Sequence, residues 1–248
     1  VSPPSLCVNS DRVEPHLGLL YVAATVVKEY HGSVAMEDLT GCSDAGDVER
    51  KIRGLAKADV YGISVYCTQF PYVQRIIRHV RELNPDCYVV LGGPYPSANP
   101  EAVLQASGAD VLVTGEGEDA FVACLESYPG NRLTGIVNGV GRDDIDSYPF
   151  PARHLIDLST YSRKLAGHPV ISLISSRGCV HHCAHCNSVV MGGGSRNVRY
   201  RSAGNVAAEI RSLLGITHSF RFNDDNFTCN PRLGELLCVL RALDIRFR

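Results

Sequence analysis

The stretch Cys87-Tyr88-Val89-Val90-Leu91-Gly92-Gly93-Pro94 decides the fold. An unbroken apolar run of strand length that ends in paired glycines is the signature of a strand buried on both faces. The pattern recurs on either side. Val60 to Val65 (VYGISV) is a second such run, and Val111-Leu112-Val113 is a third, leading into Gly115-Glu116-Gly117-Glu118. Helical spacing is expected between and around them, over residues 17–29, 47–58, 72–83, 100–106 and 120–126, with Asn84-Pro85 closing the third of these. A short strand is expected at Val34-Ala35-Met36, ending in Glu37-Asp38.

Continuous apolar strands, each followed by a helix, predict a parallel sheet covered on both faces: an α/β, doubly wound, Rossmann-like domain over residues 1–127. Its first strand is missing from the pattern, and Ser2-Pro3-Pro4 reads as the loop after one. Such sheets bind ligands at the carboxyl ends of their strands. Those ends are Tyr66-Cys67-Thr68, Gly92-Gly93-Pro94-Tyr95 and Gly115-Glu116-Gly117-Glu118, where glycine lets the backbone approach a large ligand. No G-x-G-x-x-G follows the first strand, which argues against a nicotinamide cofactor.

Residues 128–164 are broken by Pro129, Gly130, Pro149 and Pro151 and read as a linker, with a possible short strand at residues 135–140. A second α/β pattern fills residues 165–248. Strands are expected at 170–174, 219–222 and from 245, and helices at 205–214 and 231–243. This is the first part of a (β/α) barrel, with two and a fraction of its six to eight units. With no Met at position 1, the sequence is expected to be a fragment.

Hydrophobic residues make up 45% of the 248 and charged residues 20%, a globular composition with material for a core. A formal charge of -2, from 24 basic and 26 acidic residues, argues against a nucleic-acid partner. The sequence has no membrane-length apolar run and no secretory signal, so a cytoplasmic location without a membrane partner is expected. Ten cysteines is many for this length. Cys67, Cys87, Cys124 and Cys238 lie in strand-like or helix-like runs and are expected to be small buried hydrophobes.

Three cysteines stand apart, in Ser176-Arg177-Gly178-Cys179-Val180-His181-His182-Cys183-Ala184-His185-Cys186-Asn187. The spacing is C-x3-C-x2-C, directly after an apolar strand. Three thiolates can hold three irons of a [4Fe–4S] cube and leave the fourth open to substrate. Zinc is the alternative, with His181, His182 or His185 as fourth ligand.

This loop, at the end of a first barrel strand, resembles that of the radical S-adenosylmethionine superfamily. The resemblance implies that Cys179, Cys183 and Cys186 hold the cluster, and that S-adenosylmethionine binds its open iron and is cleaved reductively. The residue before the last cysteine is usually aromatic in that family; here it is His185, which can also stack near the adenine. Arg199-Tyr200-Arg201-Ser202 and the following helix with Glu209 resemble the segment after the cluster loop. Phe222-Asn223-Asp224-Asp225 resembles the end of the second barrel strand in the cobalamin-dependent subgroup, which implies that Asp224 or Asp225 meets the amino group of S-adenosylmethionine; a turn or helix cap is the other reading of that pair.

A Rossmann-like domain ahead of such a barrel looks like the cobalamin-binding domain of class B methylases. Its markers are Gly92 to Ser97 and Gly108-Ala109-Asp110 with Gly115 to Glu118. No D-x-H-x-x-G motif is present to supply a histidine to cobalt, so its lower face is expected to meet Tyr66, Cys67, Thr68 or Gln69. The resemblance implies methyl transfer to an unactivated carbon of a small-molecule or peptide substrate, with a flavodoxin or ferredoxin as electron donor and a place in secondary metabolism. A cyclase or oxidoreductase without methyl transfer is the second expectation, and a non-catalytic zinc or cluster-binding regulator a distant third.

Overall fold

The computed structural model describes residues 1–6, 12–30, 32–181, 183–191 and 198–248. His182, one of the three candidate zinc ligands, lies outside them.

The three apolar runs are neighbouring parallel strands. β1 (Val60–Ser64) pairs with β2 (Tyr88–Gly92), and β2 with β3 (Val111–Gly115). α1 (Leu17–Glu29) and α2 (Ala45–Arg53) precede them, α3 (Phe70–Leu83), α4 (Pro94–Ala98) and α5 (Pro100–Ser107) run between them, and α6 (Glu118–Ser127) follows. Tyr61, Ile63, Val89, Leu91 and Leu112 point into one core with Val48, Ile52, Val73 and Ile76 of α2 and α3. Tyr88, Val90, Val111 and Val113 point the other way, toward Ala120 and Cys124 of α6. Both faces are covered, as unbroken apolar strands require.

The chain start completes the sheet. Val1 accepts a hydrogen bond from Ser64 N (3.2 Å), and Ser2 forms a parallel bridge with Asp38. Val1 and Ser2 thus lie between β1 and Asp38, at the place in the sheet where the sequence pattern showed no strand. The strand expected at 34–36 is absent; an isolated bridge at Asp38 stands there instead, made by Ser2 N to Glu37 O and Leu39 N to Ser2 O, both 2.9 Å. The chain crosses sides between Val1–Ser2 and β1, the switch point where open α/β sheets bind ligands.

The sheet also runs past residue 127. β4 (Gly135–Gly139) pairs with β3 over five residues, inside the expected linker. The rest of that stretch is packed against α1. Ile145 and Tyr148 bury with Tyr21, Ala152 with Ala23 and Ala24, and Ala152 N bonds to Leu20 O (3.1 Å).

The second region holds the short strands β5 (Lys164–Leu165) and β6 (His168–Pro169), then β7 (Ile171–Leu173), β8 (Ser176–Arg177), α7 (Ser188–Met191), β9 (Arg199–Tyr200), α8 (Ala203–Leu213), β10 (Ser219–Phe222), α9 (Leu233–Ala242) and β11 (Arg246–Phe247). β7, β10 and β11 are parallel neighbours in chain order, as in the opening strands of a barrel. Helices α8 and α9 cover them through Val206, Ile210, Leu236 and Leu240. Cys87 and Cys124 are buried, whereas Cys67 and Cys238 are exposed. Cys67 sits on a turn beyond β1 and Cys238 on the outer side of α9, so neither is a core residue. No helix among the described residues is long and apolar enough to cross a membrane.

Candidate functional site at the strand ends

A cleft of about 1120 Å³ opens at the carboxyl ends of β1 to β4 and runs beneath α1 along the sheet to Ala58 and Asp59. It exceeds the usual volume for a drug-sized ligand. Gly92, Gly93, Gly115, Gly117 and Gly139 to Gly141 line its mouth. Gly93 has φ +103°, and a Cβ there would lie 2.8 Å from Ser64 Oγ and Val65 N. Deeper in, a Cβ on Gly62 would meet the Phe121 ring at 2.8 Å. The backbone itself thus forms the wall. Ser97 ties the ends of β2 and β3 together: its Oγ donates to Gly93 O (2.8 Å) and accepts from Gly115 N (3.0 Å).

The loop after β1 divides its residues. Tyr66 is exposed and lines the cleft. Gln69 turns away, accepting from Tyr66 N (3.0 Å) and donating to Pro3 O (2.7 Å). Cys67 is exposed, and Thr68 lines a smaller neighbouring cleft.

His16, which the sequence reading passed over, also lines the cleft. It caps α1 by accepting Leu19 N at Nδ1 (3.1 Å), packs against Tyr66, and holds Nε2 2.9 Å from Ser64 Oγ. With Nδ1 accepting, the neutral ring carries its proton on Nε2 and donates it to Ser64. Burial lowers its pKa to about 4. The unfolded chain takes up this proton near pH 6.5, so His16 leaves stability intact above that pH and lowers it as the pH falls toward 4. The loss should reach roughly 2–3 kcal/mol. His16→Asn keeps a capping oxygen without the titration. Urea unfolding at pH 7.5 and pH 4.5 should show a smaller pH loss in the variant; equal losses would refute the assignment.

Across the mouth stands the three-cysteine loop, with Gly178 and Ser188 on the cleft wall. Gly178, at φ +95°, turns the chain out of β8 into the loop. Asn187 Nδ2 donates to Pro94 O (3.1 Å), so the segment after Cys186 rests on the glycine turn after β2. Cys179 is half-buried; Cys183, Cys186 and His185 are exposed. Cys186 Sγ lies 3.4 Å from Ser188 Oγ, and hydrogen bonding of its thiolate to the Ser188 side chain and backbone lowers the Cys186 pKa. Among the described residues, no three His, Cys, Asp or Glu side chains converge on a common point. The donor chemistry nonetheless fits an iron–sulfur cluster: three soft thiols within eight residues, on a loop at the end of a strand.

The two aspartates part. Asp224 accepts from Ser175 N (2.9 Å), Ser175 Oγ (3.0 Å) and Ser176 Oγ (2.5 Å), fixing the end of β7 to that of β10. Burial raises its pKa despite those bonds. Asp225 is exposed on the cleft wall and accepts from Ser188 Oγ (2.8 Å). Glu116 and Glu118 also reach across: Arg177 Nη1 lies 2.8 Å from Glu116 Oε2 and Nη2 2.7 Å from Glu118 Oε1. Burial alone would lower the Arg177 pKa, but attraction to Glu118 and Glu116 raises it.

The description "B12 binding domain" matches residues 5–125, the part of the sheet that builds the cleft. Residues 5–125 thus resemble a B12-binding domain. Around it the chain is 28% identical to an uncharacterized methyltransferase of Pyrococcus horikoshii, over 94% of this chain and 52% of that protein. It is also 28% identical to the anaerobic magnesium-protoporphyrin IX monomethyl ester cyclase of a Synechocystis strain, over 96% and 51%. The chain thus spans about half the length of these relatives. Its fold matches the radical S-adenosylmethionine methyltransferase TsrM from Kitasatospora setae, solved with cobalamin and a [4Fe–4S] cluster bound (TM-score 0.60, 20% identity, 98% of this chain and 50% of that one). The match to a B12-binding domain covers the cleft-forming sheet, and the likeness in fold to TsrM extends through the three-cysteine region.

Proposed function

We propose that this chain carries the cofactor sites of a cobalamin-dependent radical S-adenosylmethionine enzyme that transfers a methyl group to an unactivated carbon. The observation that carries this reading is the single cleft lined both by the B12-binding domain and by the flank of the three-cysteine loop. In such a site a [4Fe–4S] cluster supplies the electron for cleaving S-adenosylmethionine, and cobalamin carries the methyl group.

The chain's own residues divide the remaining work. Cys179, Cys183 and Cys186 are the cluster ligands. Asp225, exposed beside them, accepts hydrogen bonds from the amino group of S-adenosylmethionine, while Asp224 holds the two barrel strands in register for it. His185 stacks near the adenine. Gly92, Gly93, Pro94 and Gly115 to Glu118 would border the corrin, with the glycines allowing close approach, whereas Tyr95 packs on Phe70 against the core of α2 and α3 and does not line the cleft. Of the loop after β1, Tyr66 lines the cleft and would meet the corrin, whereas Thr68 lines the neighbouring cleft and Cys67 lines neither. His16 is not a cobalt ligand, because its Nδ1 is spent on Leu19 and its Nε2 carries the proton. An acidic flavodoxin- or ferredoxin-type donor delivers the electrons.

Methyl transfer should give S-adenosylhomocysteine and 5′-deoxyadenosine in equal amounts with methylated product. The cyclase relative motivates a second reading, in which only 5′-deoxyadenosine forms. The two separate in one anaerobic turnover assay of the full-length protein. Protein that takes up zinc, with neither iron nor corrinoid, would overturn both.

A further inference from the structure

β8 and β9 form an antiparallel pair that closes the neck of the cysteine loop, and in it Arg177 stands directly opposite Arg199. Like charges in that position repel. Here the repulsion is not relieved by water, since the two side chains are only 14% and 12% exposed. It is relieved by one carboxylate from the other domain. Glu116, on the loop after β3, takes Arg177 on Oε2 and Arg199 on Oε1. Glu118 takes the second arm of Arg177, and the Arg177 guanidinium lies between the rings of Tyr21 and Tyr148, 4.8 and 4.7 Å from their centroids. Arg199 Nη1 is held by Arg142 O (2.7 Å), beyond β4.

We propose that Glu116 is a positioning residue: by neutralising the Arg177–Arg199 cross-strand pair, the loop after β3 closes the neck of the cysteine loop, so that the cluster site is ordered only when the B12-binding domain is docked. Removing the carboxylate leaves two buried guanidinium groups facing each other with half their acceptors gone, which a hairpin of two residues per strand cannot withstand. The arrangement also gives register, because the same turn from β3 into α6, Gly115 to Glu118, borders the corrin side of the cleft and grips the neck of the cysteine loop. That role toward two cofactors rests on the function proposed above. The dependence of the hairpin on Glu116 does not.

The test is amide hydrogen exchange on the cofactor-free full-length protein, followed by loss of iron to a chelator after anaerobic reconstitution. In Glu116→Gln, exchange at residues 175–179 and 199–201 should rise about tenfold or more, while β1 and β2 exchange as in the wild type and report an intact fold. Iron should leave faster by a similar factor. Adding Arg199→Gln removes the repulsion and should restore slow exchange. Unchanged exchange in Glu116→Gln, or no rescue in the double variant, overturns the proposal whatever the cofactors do. Wild-type protein that takes up neither iron nor corrinoid overturns the functional reading, and the exchange comparison still decides the role of Glu116.

Discussion

Glu209→Gln should lower the stability of the protein by about 3–5 kcal/mol, the range for leaving buried charges without their partner. Glu209 on α8 is fully buried and receives two arginines: Arg153 Nη1 at Oε1 (2.7 Å) and Arg201 Nη1 at Oε2 (2.5 Å). Neither arginine can turn to solvent. Arg153 also donates to Ser172 O (2.7 Å), and Arg201 to Ile174 O (2.8 Å) and Asn205 Oδ1 (2.7 Å). The three side chains thus join the stretch after β4, the end of β7, the segment after the cysteine loop and α8. An amide in place of the carboxylate leaves both cations in the interior with one neutral acceptor between them. A domain typically has 5–15 kcal/mol to lose, so the variant should be close to unfolding at physiological temperature. Urea titration should show a lower midpoint with an unchanged slope. A variant within about 1 kcal/mol of wild type would mean that water reaches the triad. Replacing all three residues by apolar ones should recover part of the loss, though not all, because the carbonyls of Ser172 and Ile174 would lose their donors.

β1, β2 and β3 were legible because a strand buried on both faces must be apolar at every position. Ser219–Phe222 was legible for a similar reason, flanked by amphipathic helices. β4 was legible only as a short strand inside a linker and not as part of the sheet, since Gly135-Ile136-Val137-Asn138-Gly139 alternates half-buried and exposed residues at a sheet edge, and its partner lies more than twenty residues back. The strand expected at Val34-Ala35-Met36 did not form; only Asp38, just beyond it, is bridged, and that bridge depends on Ser2, far from it in sequence. α4 begins with Pro94 at its first turn and has only five residues, too few for a helical period to show.

The candidate site follows the same rule. Its strand ends and its three cysteines are local signals, readable from a few adjacent residues. What binds the two halves together is long-range. Glu118 and Arg177 are separated by 59 residues, Glu116 and Arg199 by 83, and Arg153 and Glu209 by 56. Arginine in isolation says nothing of its partner, so Arg177 reads from sequence as a residue that happens to precede Gly178. The glutamates of Gly115-Glu116-Gly117-Glu118 read as cofactor contacts because they stand at a strand end; the structure gives their carboxylates to arginines and leaves the glycine backbone facing the cleft.

Replacing any one of Cys179, Cys183 and Cys186 by Ala should abolish iron uptake and reductive cleavage of S-adenosylmethionine together. A cube bound by three thiolates has no spare protein ligand, so a second thiol cannot secure it once one is gone. Anaerobic reconstitution of wild-type protein should yield about four irons and a matching quantity of labile sulfide, against background in each variant. The other cysteines provide the control. Cys229 and Cys238 are exposed, yet they lie outside the loop, and their alanine variants should retain the full complement of iron. His185 distinguishes the two metals. In a zinc site a histidine of the loop completes a tetrahedral shell, so His185→Ala would cost metal as severely as loss of a cysteine. In a cluster site the open iron belongs to S-adenosylmethionine, so His185→Ala should keep its iron and sulfide and lose only affinity for the nucleoside. Retained iron with a raised KM for S-adenosylmethionine therefore supports the cluster, and lost metal in His185→Ala together with absent labile sulfide would assign the loop to zinc.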